Sequence, residues 1–104
     1  MKRNFIAEFV GTFALVFVGS GAIIIVQQTG NTAGLLQVAL AHGLILAIMV
    51  SAFMNVSGGH FNPAVTLAFA AVGRIPAAQI PVYWASQLAG GLIAIGLLEA
   101  LKKA

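Results

Sequence analysis

The chain has 104 residues, of which 61% are hydrophobic and only 7% are charged. This composition excludes a soluble globular domain and indicates a protein of the lipid bilayer. The five Lys and Arg residues lie at the edges of the apolar runs, so they are interpreted as topological anchors and no nucleic-acid partner is predicted. The absence of cysteine excludes disulfides and thiolate metal sites.

Three long apolar runs follow one another along the chain. They cover residues 5–26, 35–56 and 80–101. About 20 apolar residues in a helix cross a hydrocarbon core of ~30 Å, so each run is long enough to span the membrane. The sequence therefore predicts a single all-α integral membrane domain over residues 1–104, with three transmembrane helices. We expect a multi-pass protein of the cell (inner) membrane.

A shorter segment separates the second and third runs. Residues 62–72 would form a helix of about 16 Å, which is half the thickness of the core. Asn62 is a favoured N-cap and Pro63 suits the first helical position, while glycines just before them permit a sharp turn. The pattern predicts a re-entrant half-helix whose positive end points at the middle of the bilayer. Irregular backbone is tolerated there only inside protein or beside water, so we interpret this segment as one wall of a pore.

Polar and aromatic side chains inside the runs narrow the interpretation. Glu8 is expected to face the protein interior and accept hydrogen bonds, the alternative being a proton or cation relay. His42 is predicted to line the pore rather than to pack, and Gln87 is predicted to support the re-entrant loop. Tyr83 and Trp84 are interpreted as aromatic residues at the membrane interface.

Several motifs then resemble, in family order, those of the aquaporin (major intrinsic protein) family. Residues 7–13 (AEFVGTF) resemble its first helix, and residues 83–91 (YWASQLAGG) resemble its third. Ala41-His42-Gly43, followed by residues 57–67 (SGGHFNPAVTL), is similar to its second helix and first NPA loop. The resemblance implies a membrane channel for water and small neutral solutes, without enzymatic activity or cofactor. No residue pair has the spacing of a metal site or a catalytic triad, which agrees with that implication.

The resemblance also implies a partner. Family members have two inverted repeats whose NPA half-helices meet at mid-membrane, and this sequence matches the first repeat, with Val65 where the second repeat carries a filter arginine. A single repeat would leave Asn62 facing lipid with unsatisfied backbone nearby. Three explanations stay open: an antiparallel homodimer, a separate second-half chain, or a fragment or engineered piece.

Charge counting favours the homodimer. Lys2, Arg3 and Arg74 would lie on one membrane face, and Lys102 and Lys103 on the other. Orientation follows the asymmetry of Lys and Arg, and three against two is a small difference. Dual topology is therefore allowed, and family resemblance implies that complete pores cluster into larger oligomers.

The resemblance assigns roles to the pore residues. The NPA motif would offer amide donors to water, backbone carbonyls would form an acceptor ladder, and a narrow filter would combine one residue of one repeat with three of the other. The motif is Asn62, Pro63 and Ala64; the ladder is Gly58, Gly59 and His60; the filter is His42 with the partner copy's Val50, Gly59 and Val65. Such a filter predicts passage of water and of urea, hydrogen peroxide or ammonia.

Three other function classes remain as alternatives. A small proton-coupled transporter also carries an acid such as Glu8 in its first helix, although a half-helix has no role there. A non-conducting subunit that assembles with a larger channel is the second alternative. An inactive fragment is the third, and it would form no stable oligomer.

Overall fold

The computed structural model describes residues 2–30 and 34–103, without the side chain of Lys103. Over these residues the regular structure is entirely helical, which confirms the all-α prediction. Four α-helices follow in chain order, with a short 3₁₀ turn at Ala77–Gln79 before the last. They are α1 (Lys2–Thr29), α2 (Gly34–Ser57), α3 (Pro63–Ala71) and α4 (Ile80–Lys103).

Three of these helices are long and apolar enough to cross a membrane. They are α1, α2 and α4, the last counted together with its preceding turn. Helix α1 is longer than the predicted residues 5–26 because it continues through the polar residues at each end. It stops where Gly30 adopts a left-handed φ of 64° and donates its N–H to the Val26 carbonyl at 3.0 Å.

Helix α1 lies between α2 and α4. Glycines set the distance between neighbouring helices, because a Cβ added at Gly19 of α1 would overlap the ring of His42 on α2. On the other side, a Cβ at Gly90 would lie 2.5 Å from the Phe9 carbonyl oxygen, so α4 meets the α1 backbone directly. Small residues that let helix backbones touch are a common association device in lipid.

The short helix α3 packs mainly against α4. It ends at Ala71, after which Gly73 adopts a left-handed φ of 79° and the Arg74 N–H returns to the Phe69 carbonyl at 2.8 Å. The predicted half-helix of residues 62–72 therefore has Asn62 as its N-cap and Val72 as its C-cap.

Polar residues outnumber hydrophobic ones among the buried side chains that the structure describes, and many of the large apolar side chains are exposed. Glu8, Thr66 and Ser86 are the largest fully buried side chains, whereas Leu36 and Leu92 are each more than 60% exposed. A soluble protein shows the reverse arrangement. The distribution is typical of helices whose outer faces lie in lipid and whose polar groups pair inside the protein.

Candidate functional site

The loop between α2 and α3 has an unusual backbone. Three of its residues have left-handed φ angles: 92° at Gly58, 67° at Gly59 and 54° at Phe61. Glycine adopts this region freely, but a phenylalanine there costs free energy that the surroundings must offset. The Phe61 ring is 3% exposed, lies directly on Gly11 and meets Phe53 edge-on at 6.4 Å between ring centroids.

The carboxylate of Glu8 holds this loop in place. Its Oε1 accepts hydrogen bonds of 2.8 Å from the Phe61 N–H and from Gln87 Nε2. Its Oε2 accepts from Ser57 Oγ at 2.6 Å and from the His60 N–H at 3.1 Å. Four donors from α2, the loop and α4 thus converge on one buried acid of α1. Charge-assisted bonds of this kind are the strong ones, and they leave no oxygen free to relay a proton.

A second group of bonds ties α3 to α4. Gln87 Nε2 also donates to Thr66 Oγ1 at 2.9 Å, and the same hydroxyl lies 2.9 Å from His60 Nδ1. Thr66 is fully buried at the point where α3 meets the loop. These bonds extend the Glu8 network to the His60 ring on one side and to α3 on the other.

The imidazole of His60 is enclosed by two other rings. It stacks on Phe69 at 4.6 Å and on Tyr83 at 4.7 Å between ring centroids. His60 is 4% exposed, so its ring is held inside the protein beside the loop.

The prediction that Tyr83 is an interfacial aromatic was wrong. Tyr83 is 2% exposed, and its hydroxyl donates to the Ser57 carbonyl at 2.6 Å while accepting from Asn4 Nδ2 at 3.2 Å. Its ring therefore helps to fix the end of α2 rather than marking the membrane surface. Trp84 is 38% exposed and donates its Nε1–H to the Pro63 carbonyl at 3.2 Å.

The Asn62-Pro63-Ala64 motif lies on an exposed face of the chain. Asn62 caps α3, with its Oδ1 accepting from the Ala64 N–H at 2.8 Å. Because the oxygen is occupied by the cap, the amide NH₂ is the part of this side chain left to donate elsewhere. The same end of α3 carries the positive end of the helix dipole.

A cavity of about 340 Å³ opens beside this motif. It is lined largely by apolar side chains of α1 and α4, together with Asn62 and Pro63. Two buried polar atoms of its lining residues, Thr12 Oγ1 and Gln87 Oε1, have no hydrogen-bond partner among the described residues.

The predicted filter residues fall into two places. Gly59 packs against Val50, since a Cβ there would lie 3.3 Å from the Val50 Cα. Val65 is 37% exposed on the first turn of α3. His42 lies apart on α2, where its Nδ1 donates to the Val38 carbonyl at 2.8 Å and its ring faces α1. Of the ladder residues, Gly58 is exposed, Gly59 half-buried and the His60 side chain buried.

Sequence reasoning missed Thr66, Thr12 and Ser57. Thr66 lies one turn after Asn62, so the helical period of α3 could have placed it on the face toward α4. Thr12 likewise lies one turn after Glu8 on α1. Ser57 carried a signal only as the last residue before the glycines, which gave no indication that it binds Glu8.

Comparison with known proteins decides the family. The family model described as "Major intrinsic protein" matches residues 1–104. The chain belongs to the major intrinsic protein family. The chain is 39% identical to Aquaporin NIP1-1 of Arabidopsis thaliana over 95% of its length and 39% identical to Nodulin-26 of Glycine max over 95%. It is 44% identical to Aquaporin-8 of Mus musculus over 92%.

This member of the major intrinsic protein family spans about a third of the length of those relatives, namely 33%, 36% and 36%. The family match and the three long apolar helices establish an integral membrane protein. Several of the relatives are named aquaporins, and in this chain the Asn62-Pro63-Ala64 motif follows the end of α2.

Proposed function

We propose that this chain forms half of a transmembrane channel that passes water and small neutral solutes. The observation that carries the proposal is the exposed Asn62, which caps α3 while its amide NH₂ remains available beside an open cavity. On this proposal α3 is a re-entrant half-helix whose N-terminus lies near the middle of the membrane.

The proposed mechanism uses hydrogen bonds and the helix dipole. The Asn62 amide donates to a water oxygen, while the positive end of α3 disfavours cations and protons. Carbonyls of Gly58, Gly59 and His60 offer acceptors that replace part of the lost hydration. The left-handed φ angles at Gly58 and Gly59 support this role, because they keep the loop from forming helical hydrogen bonds with those carbonyls.

A second repeat is required to close the pore. The exposed Asn62 and the exposed Leu92 border the open cavity, and an inverted second repeat would cover them. We propose that a second copy of this chain supplies it as an antiparallel homodimer. A Leu92→Ala variant should weaken the dimer in detergent while leaving the helix content unchanged, because it removes an exposed apolar side chain that lines the cavity. A dimer fraction equal to that of the parent would exclude contact at Leu92.

The filter of this pore would be formed twice, once at each end. His42 of one copy would face Val50, Gly59 and Val65 of the other. One imidazole among small and aliphatic groups is wider and less charged than a filter that contains arginine, so we propose passage of urea, hydrogen peroxide or ammonia besides water. Equal urea permeability of protein-containing and empty liposomes would contradict this solute range.

Stopped-flow light scattering on liposomes that hold only this chain tests the function. Fast osmotic shrinkage should be lost in Asn62→Asp, because aspartate retains the cap but has no amide donor. Asn55→Asp on the exposed end of α2 is the matched control and should conduct as the parent does. Inserted and folded chain that shrinks no faster than empty vesicles would contradict the homodimer and point to a separate second-half chain.

The proton-coupled transporter finds no support in the arrangement of Glu8. Both of its oxygens are occupied by two donors each, so a transported proton or cation has no free lone pair to occupy. Efflux driven by a pH gradient and abolished by Glu8→Gln would reverse this conclusion.

A further inference from the structure

A second cavity lies on another side of α1. Beyond their close contact at Gly90, α1 and α4 leave a space of about 450 Å³ between their C-terminal ends. The inner part of the cavity is apolar and its opening is polar. The inner part is formed by Phe17, Gly21, Ile24 and Leu98, while Gln28 and Lys102 lie at the opening, near the ends of the helices.

This cavity is separate from the proposed pore. On α1 it is lined by residues 17, 21, 24, 25 and 28, which recur at helical spacing along one face. The pore-side cavity is lined on α1 by residues 12, 15 and 16. At 100° per residue the mean directions of the two sets are about 170° apart. A second repeat that covers Asn62 therefore lies across α1 from the C-terminal cavity.

The chemistry of the cavity matches a lipid. Helix α1 ends at Thr29 and α4 at Lys103, so Gln28 and Lys102 lie where the two spans reach the headgroup region. A cationic ammonium at that depth attracts anionic headgroups, and an apolar space below it accepts a hydrocarbon chain. Exposed Ile25 and Leu101 also line the cavity and add to its apolar surface.

We propose that this cavity binds one acyl chain of an anionic phospholipid whose phosphate lies at Lys102. Gly21 provides the depth, because it lines the cavity and a larger side chain there would fill the space that the acyl chain occupies. A Cβ alone would make only an ordinary contact of 3.6 Å with Leu98 Cδ2. Gln28 offers an amide donor to the same headgroup. The site is independent of the pore and needs only insertion into the membrane.

Native mass spectrometry of the purified full chain tests the proposal with phosphatidylglycerol and phosphatidylcholine as the two probes. The parent should retain phosphatidylglycerol preferentially. Lys102→Gln should lower the affinity for phosphatidylglycerol about fivefold, the factor expected for one basic residue at the surface, and leave phosphatidylcholine unchanged. Gly21→Leu should remove the retained lipid of either kind.

Two matched variants serve as controls. Gly96→Leu adds the same bulk to α4 where a Cβ meets nothing within 4 Å, and Lys2→Gln removes a positive charge at the opposite end of α1. Both should bind lipid as the parent does. Folded Gly21→Leu that retains as much lipid as the parent would overturn the proposal. A second contradicting result is a changed dimer fraction in Gly21→Leu and Lys102→Gln without any change in bound lipid. That result would assign the cavity to contact with a second copy of the chain.

A measurement on the unmodified chain keeps the test independent of folding. Phosphatidylglycerol with a photoreactive diazirine in its acyl chain should crosslink to residues 17–28 of α1 or 98–102 of α4. Crosslinks spread evenly over the exposed faces of all three long helices would show ordinary contact with bulk lipid and overturn the site.

Discussion

Oε1 of Glu8 accepts a hydrogen bond of 2.8 Å from the backbone N–H of Phe61, 53 residues further along the chain. This bond connects the one buried acid of α1 to the one non-glycine residue with a left-handed φ among the described residues. The strained backbone at Phe61 is therefore held from outside the loop. Its position, directly before Asn62, means that the same bond orients the start of α3.

Replacing Glu8 should destabilise the protein by weakening the bonds that hold the loop. In Glu8→Gln one acceptor oxygen becomes an NH₂ group that faces donors, so at least one charge-assisted bond is lost and another donor is opposed. We expect a loss of about 2–4 kcal/mol in the free energy of unfolding. Unfolding in a denaturing detergent, followed by circular dichroism, measures it. Glu99→Gln, on an exposed face of α4, is the control and should cost little.

Loss of the Thr66 hydroxyl should be costly in spite of its small size. Thr66→Val leaves His60 Nδ1 and one Gln87 N–H without their partner in a fully buried place. We expect a destabilisation of about 1–3 kcal/mol, measured by the same unfolding assay. Thr29→Val removes an exposed hydroxyl that bonds only to the Ile25 carbonyl one turn earlier, and it should change stability by less than about 0.5 kcal/mol. Equal effects of the two variants would refute the importance of the buried network.

Two glycines of α4 should respond in opposite directions to alanine. A Cβ at Gly90 would lie 2.5 Å from the Phe9 carbonyl oxygen, so Gly90→Ala must push α1 and α4 apart and should cost about 1–3 kcal/mol. A Cβ at Gly96 meets nothing within 4 Å, so Gly96→Ala should be neutral or stabilise the helix by up to about 1 kcal/mol. Thermal unfolding of both variants in the same detergent measures these changes. A Gly90→Ala variant as stable as the parent would show that α1 and α4 are not in direct contact.

The fold was largely predictable because apolar length is a strong signal. Runs of 22 residues define the spans, and Asn62 before Pro63 defines the start of α3 through its cap chemistry. For the buried polar groups, the sequence predicted that they would find hydrogen-bond partners but not which residues those partners are. Glu8 was expected to find donors, but which four donors it binds depends on how α1 crosses α2 and α4.

The misplacement of Tyr83 has a physical reason. An aromatic residue near the end of a span has the same sequence pattern whether its hydroxyl reaches headgroups or a buried carbonyl. Tyr83 lies on the face of α4 that turns toward Asn4 and Ser57, whereas its neighbour Trp84 lies on the exposed side. The sequence carried no information on the rotation of α4, which tertiary packing decides.

The convergence on Glu8 also has a consequence for biogenesis. The acid belongs to the first helix to be synthesised, while its donors come from Ser57, the loop and finally Gln87, which follows 79 residues later. A first helix released alone into lipid would carry an unpaired carboxylate in the hydrocarbon core, which is strongly unfavourable. Helix α1 should therefore remain beside the insertion machinery until the later helices emerge, so that the three spans enter the bilayer together.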